Sequence, residues 1–311
     1  MKLDNFALVA HQTCPAKYLL RIEQGWTVRR KGAPLGFGGA LHAGLAEWYK
    51  GKGLAAAINA IHKEWPAEMP VDDYRTESKC VETMIAYAKN YPTESWKVVG
   101  ADTGNPMVEV SFSLDTGMFV SCFNCGWPAG EPDPEGRCYN CGEPCEPIEY
   151  GGIFDGLVDF ANQLYVLEHK STSRMGNYYF TQFKPNNQIS GYIWAAEKLT
   201  GRKVAGALVN AMGVYKASAT KFDRHITTRN DMDLAEWMQS VKAGAEEIQQ
   251  HRRTGVWPLR TAACTLYGLC EFHSVHVLSY PNEREKRLQN DYVMEPWDYE
   301  RRDEEQTITP E

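Results

Sequence analysis

An α/β fold follows from three features of this 311-residue chain. The first third carries apolar residues at helical spacing, a pair of strands with a charged cluster stands near the middle, and further strands and long helices follow. A chain of this length buries a substantial core. Its apolar and charged fractions, 43% and 23%, are those of an ordinary globular protein.

The first helix with clear apolar spacing covers 39–49, and 54–65 and 74–91 continue the pattern, interrupted by Pro66, Pro70 and Pro92. From Met107 to Leu114 the pattern alternates and opens the β region. At 120–147 the composition turns to Gly, Pro, Cys and turn formers, which reads as an insertion between two strands. Strands are then predicted at 152–158 and 164–170, joined by a turn at 160–163. A helix within 182–199, after Pro185, leads to a buried strand at 204–212, a strand at 222–227 and an amphipathic helix at 231–251. Charge dominates from Asn282 onward, so 292–311 is expected as a flexible tail and 1–291 as the folded domain.

A net charge of −7 argues against nonspecific, charge-driven coating of DNA. It leaves room for a site whose clustered carboxylates are neutralised by metal. The basic run Arg29-Arg30-Lys31 suits either a phosphate backbone or a solvated loop. No apolar run reaches membrane-spanning length, and Met1-Lys2-Leu3-Asp4-Asn5 lacks the layout of a signal peptide. A cytoplasmic protein with no membrane partner is the expectation.

Nine cysteines in such a chain point to metal rather than disulfides. Cys80, in a helical stretch, reads as a small buried residue. Cys122-Phe123-Asn124-Cys125-Gly126 and Cys138-Tyr139-Asn140-Cys141-Gly142 are two knuckles twelve residues apart. Each presents two thiolates to one tetrahedral Zn²⁺, and glycine permits the tight turn. Cys145 is a spare. A zinc ribbon of this kind staples a segment too small for its own core, or touches DNA or a partner protein.

Glu168 and Lys170 lie two apart on a predicted strand and so share one face. Asp155 lies thirteen residues earlier, on the preceding strand. Two carboxylates and a lysine brought together this way suit a divalent metal and hydrolysis of a phosphodiester. Asp159 competes with Asp155, but its spacing fits less well and marks it as structural.

These residues resemble the PD-(D/E)xK nuclease superfamily, in its branch of RecB-like and CRISPR-associated exonucleases that includes many phage proteins. The likeness runs in order along the chain. Thr13-Cys14-Pro15-Ala16-Lys17-Tyr18 looks like the family's Cys-Pro helix, and 39–49 resembles the helix carrying an active-site histidine, here His42. Glu109 sits where several members place an additional carboxylate. Gly152-x-x-Asp155, Glu168-x-Lys170 and Gln188-x-x-x-Tyr192 complete the set.

The resemblance implies a restriction-endonuclease-like core, a central mixed β-sheet flanked by helices, with an inserted zinc ribbon. It also implies a Mg²⁺- or Mn²⁺-dependent DNA exonuclease, serving phage or bacterial recombination, repair or processing in the host cytoplasm. DNA, as a single strand or a duplex end, is the expected partner, with a helicase or a single-strand annealing protein beside it. Asp155 and Glu168 are the implied metal ligands, joined by the His169 carbonyl and by Glu109. His42 would hold a second metal, which favours Mn²⁺. Lys170 would position the attacking water or stabilise charge on the phosphate. Gln188 and Tyr192, one helical turn apart, would contact the DNA backbone or order the lysine.

In many relatives an N-terminal and three C-terminal cysteines hold a [4Fe-4S] cluster. Cys14, Cys264 and Cys270 match, while His276 stands where the last cysteine would be. A cluster with His276, a Cys₃His zinc site and a metal-free site stay open, with His273 as a rival fourth ligand. The retained Cys-Pro helix and Cys-x₅-Cys segment favour the cluster. Two other readings share the fold: a non-catalytic DNA-binding or assembly factor, and an endonuclease of the restriction type. The intact Asp155, Glu168 and Lys170 argue against the first, and circular substrates separate the second.

Overall fold

The computed structural model describes residues 1–29, 32–67, 74–127, 132–266 and 268–298. Along the chain run β1 (Lys2–Asp4), α1 (Asn5–Thr13), α2 (Pro15–Tyr18), a π-helical turn and β2 (Trp26–Val28). Three helices follow, α3 (Ala33–Tyr49), α4 (Gly53–Glu64) and α5 (Glu77–Asn90). Next come β3 (Lys97–Val98), β4 (Val108–Phe119), β5 (Pro147–Phe160) and β6 (Gln163–Thr172). Helix α6 (Asn187–Thr200), β7 (Val204–Gly213), β8 (Lys221–Thr227) and α7 (Asp231–Thr254) continue the chain. Short α8 (His273–His276), α9 (Pro281–Asp291) and β9 (Tyr292–Met294) close it.

Seven strands form a mixed sheet in the order β1-β5-β6-β7-β8, with β3 and β4 also on β5. β5 and β6 are antiparallel, β6 and β7 parallel, and β7 and β8 antiparallel. This is the central mixed sheet with flanking helices that the sequence leads one to expect. The β5–β6 turn is tight because Ala161 and Asn162 both take left-handed backbone, at φ 49° and 61°.

Among the described residues the chain folds as two compact units, one built from 1–29, 113–152 and 235–298, the other from 32–112 and 153–234. In the second unit, Phe37, Leu41 and Leu45 of α3, Ile61 of α4 and Met84 and Tyr87 of α5 pack with Val158, Leu167 and Leu208 of the sheet. Each fully buried side chain of this size stabilises by about 1.5–3 kcal/mol. Cys80 is buried in α5, as its helical setting suggests. In the first unit, Leu20, Phe272, Val275, Leu288 and Tyr292 form a smaller cluster.

Several boundaries differ from the sequence reading, each for a local reason. α3 starts at Ala33, because Pro34 in its first turn needs no donor there. α6 starts only at Asn187, capped by Asn186, whose Oδ1 accepts from the Ile189 N–H at 3.1 Å. Residues 281–291 are helical although only Leu288 is buried among them, so no apolar period announces the helix. The tail expected from 292 begins instead with β9, which pairs antiparallel with β2, Trp26 opposite Met294. Arg30, Lys31 and Pro70, and 299–311 of the tail, lie outside the described residues. No helix among the described residues is long and apolar enough to cross a membrane.

Candidate active site

The β5–β6 pairing sets Gly156 opposite Leu167, which brings Asp155 beside residues 168 and 169. Asp155 Oδ2 accepts the backbone N–H of His169 at 2.5 Å, and its Oδ1 lies 3.0 Å from His42 Nδ1 on α3. Glu109 approaches from β4 with φ at 53°. That left-handed conformation is costly for a residue with a side chain and recurs where function demands it. The ligand atoms of His42, Glu109 and Asp155 all lie within 4.8 Å of one another. Two carboxylates and one imidazole at this spacing suit a hard or borderline divalent cation.

Glu168 is only 2% exposed. Its Oε1 pairs with Lys170 Nζ, while its buried Oε2 has no hydrogen-bond partner among the described residues. An unpartnered buried carboxylate oxygen is rare, and a bound cation is one way to satisfy it. Glu168 is not one of the three residues whose ligand atoms lie within 4.8 Å of one another. Lys170 Nζ also donates to Gln188 Oε1 at 2.9 Å, and Gln188 Nε2 donates to Tyr192 Oη at 3.2 Å. Of the two roles open for Gln188 and Tyr192, this geometry matches ordering of the lysine. The rings of Phe112 and Phe154 stand edge-on to Tyr192, each at 6.0 Å.

The charges of the site's own side chains offset one another. Burial alone would lower the His42 pKa, but the Asp155 carboxylate overrides it and raises His42 to about 9. Burial would raise Asp155, yet the same ion pair, with His169, holds it well below the carboxylate range. Glu168 goes the other way, raised by burial to about 7 against the pull of Lys170. Burial would lower Lys170, and Glu168 beside it keeps the ammonium above its ordinary value. Asp159 stands apart in an exposed pair with Arg202.

The sequence model of the PD-(D/E)XK nuclease superfamily matches residues 7–275. The chain belongs to this superfamily. A solved structure from Eubacterium rectale, provisionally described as an exonuclease, is similar at 12% identity and a TM-score of 0.49, over 90% of each chain. No curated protein matches the chain.

This superfamily member carries two further groups of metal-type ligands. Cys122, Cys125, Cys138 and Cys141 have their sulfurs within 4.8 Å of one another. Each knuckle closes by the same bond, Gly126 N–H to the Cys122 carbonyl and Gly142 N–H to the Cys138 carbonyl, both at 2.8 Å. Gly126 and Gly142 take φ of 68° and 74°, which a side chain would oppose. Hydrogen bonds from Asn140 and from the Trp127 N–H push the Cys125 thiol down to about 6, favouring the thiolate a metal needs. Cys145 is not part of the four-sulfur group.

Cys14, Cys264, Cys270 and His276 line one cavity of about 140 Å³, together with Lys17 and Arg260. His273 is not among its lining residues. Not anticipated from the sequence is a polar network that reaches His169 through Asn210, Arg224 and Glu94. No local motif marks these three, which lie on separate segments and meet only in the folded chain.

Proposed function

We propose that this chain is a metal-dependent deoxyribonuclease that hydrolyses DNA from an end. The observation that carries the reading is the convergence of His42, Glu109 and Asp155 within 4.8 Å, beside a Glu168–Lys170 pair. A divalent cation held there, Mg²⁺ or Mn²⁺, would polarise the phosphodiester and activate a water. The donor set fits: oxygens for either ion, one imidazole in favour of Mn²⁺, and an unpartnered Glu168 oxygen beside it. Lys170, held by Glu168 and Gln188, offers an ammonium to charge building on the phosphate. Tyr192 keeps Gln188 in place for that task.

The test is digestion of end-labelled single- and double-stranded DNA with each metal, alongside Lys170→Ala and a circular substrate. Cleavage of linear DNA by the parent, with loss of activity of about 100-fold or more in the variant, is the expected result. Cleavage of the circle would turn the reading to an endonuclease, and DNA binding without cleavage would turn it to an assembly factor. Service in recombination or repair, in phage or bacterial cytoplasm and beside a helicase or annealing protein, rests on the family branch the motifs resemble.

The four-sulfur group would hold a structural zinc between β4 and β5. Cys138→Ser should lower bound zinc from about one ion per chain to near zero and make 120–147 sensitive to protease. A zinc-free parent with that segment still resistant would sink the assignment. The outer group fits an iron–sulfur cluster, because its three cysteines and His276 line one cavity, with Lys17, Arg260 and Glu271 also on its wall. Such a group would cross-link Cys14 near one chain end to Cys264, Cys270 and His276 near the other.

A further inference from the structure

The residue between Glu168 and Lys170 is a histidine whose ring is buried, and a row of side chains across three strands reaches it. His169 on β6 lies opposite Asn210 on β7, and Asn210 lies opposite Arg224 on β8. Successive strand residues point to opposite faces, so this row occupies the face away from Glu168 and Lys170. Asn210 Nδ2 stands 2.8 Å from His169 Nδ1 and 2.8 Å from Tyr87 Oη. Arg224 Nε donates to Asn210 Oδ1 at 3.0 Å, which orients the amide with its nitrogen toward the imidazole.

Arg224 is itself fixed on every side. Its Nη1 and Nη2 donate to the two oxygens of Glu94 at 2.7 and 2.8 Å, a bidentate pair. Nη2 also donates to Tyr87 Oη at 2.9 Å, and Tyr49 Oη donates to Glu94 at 2.7 Å. The guanidinium lies 3.3 Å from the Tyr91 ring centre and 4.2 Å from that of Trp96. Tyr49 then stacks on His169, with ring centres 5.2 Å apart.

The hydrogen bonds have one consistent assignment. With the Asn210 amide donating, His169 Nδ1 accepts, so the ring is neutral and carries its proton on Nε2, which is buried and has no hydrogen-bond partner among the described residues. That ring is buried and cannot turn without losing both the Asn210 bond and the Tyr49 stack. Its backbone N–H is the donor to Asp155 Oδ2.

We propose that Asn210 and Arg224 are positioning residues for the metal site, locking the His169 ring and so the backbone amide that aims Asp155. Neither touches the site ligands. Their influence runs through the His169 imidazole, to its own peptide group and to the His42 ring that stands edge-on to it at 5.9 Å. This role rests on the metal-site reading above, and it extends that site to a layer of side chains the ligands do not include. Partners of this kind typically alter metal affinity about 10- to 100-fold when removed.

The test uses the full chain, with Mn²⁺ as the probe. Long-range ¹H–¹⁵N spectra of the histidine rings should show His169 as the Nε2–H tautomer in the parent at neutral pH. Asn210→Asp, which accepts where the amide donated, should shift it to the Nδ1–H tautomer or the imidazolium. Mn²⁺ affinity, read by electron paramagnetic resonance of the free ion, should weaken about 10- to 100-fold in that variant and in Arg224→Gln. Circular dichroism establishes that each variant is folded at the assay temperature. If Asn210→Asp does not fold, Arg224→Gln carries the same expectation, and the parent's tautomer needs no variant.

A parent in the Nδ1–H tautomer overturns the proposal, as do folded variants that bind Mn²⁺ like the parent. A parent that binds Mn²⁺ more tightly than the variants yet cleaves no DNA supports the positioning role and overturns the nuclease. A parent that cleaves DNA alongside variants of equal Mn²⁺ affinity does the reverse. A parent that binds no Mn²⁺ overturns both.

Discussion

Asp155→Asn is expected to lower DNA cleavage by about 10³-fold or more, equivalent to roughly 4 kcal/mol in the barrier. The substitution keeps the shape of the side chain and an oxygen to accept the His169 N–H, so the fold has no reason to change. It removes the negative charge that His42 faces at 3.0 Å and that the ligand group shares with Glu109. Without that charge the site loses one of the carboxylates that attract a divalent cation. Single-turnover cleavage at saturating Mn²⁺, compared with the parent, isolates the effect from weaker metal binding. Activity within tenfold of the parent would place the chemistry elsewhere. Asp159→Asn is the matched control, since Asp159 pairs with Arg202 away from the site, and it should leave cleavage unchanged.

Metal affinity should depend steeply on pH, and the sign follows from the His42–Asp155 pair. His42 is held protonated there up to about 9, and a metal accepts only the neutral imidazole. Below that pH each bound ion must displace a proton, so affinity falls as pH falls. Between pH 9 and pH 7 the loss should be about 50-fold, or about 2.3 kcal/mol, because the imidazole is already half protonated at pH 9. Glu168, raised to about 7, adds a second proton to be displaced and steepens the fall below neutrality. Calorimetric Mn²⁺ titration in buffers of different ionisation enthalpy reads the proton count directly, with about one released per ion at pH 8. A dissociation constant that stays level from pH 7 to pH 9 would show that His42 is not displaced by the metal.

Where a function is written in short motifs, the chain discloses it. Glu168-x-Lys170 on an apolar strand, Asp155 on the strand before it and Gln188 four residues ahead of Tyr192 are legible because strand and helix periods place them. The two Cys-x-x-Cys-Gly knuckles are legible for the same reason, since each is a complete turn of local backbone. Residues 281–291 were not, because a helix with one buried residue has no period to read. β9 was not either, because a three-residue strand is defined by its partner β2 and not by its own composition.

The sequence by itself determined the α/β class, the grouping of Asp155, Glu168 and Lys170 and the two cysteine knuckles from local spacing, while His42, Glu109 and the outer cysteines came from the family resemblance. Tertiary structure decided how those candidates divide the work. Glu109, in left-handed backbone on β4, joins His42 and Asp155 only in the folded chain. Gln188 reaches Lys170 from α6, while Glu168 meets the same lysine two residues along β6. His169 acquires Asn210, Arg224 and Glu94 through the register of three strands and a segment distant in sequence. Buried polar groups must find partners wherever the fold supplies them, and those partners come from long-range contacts that no local pattern encodes.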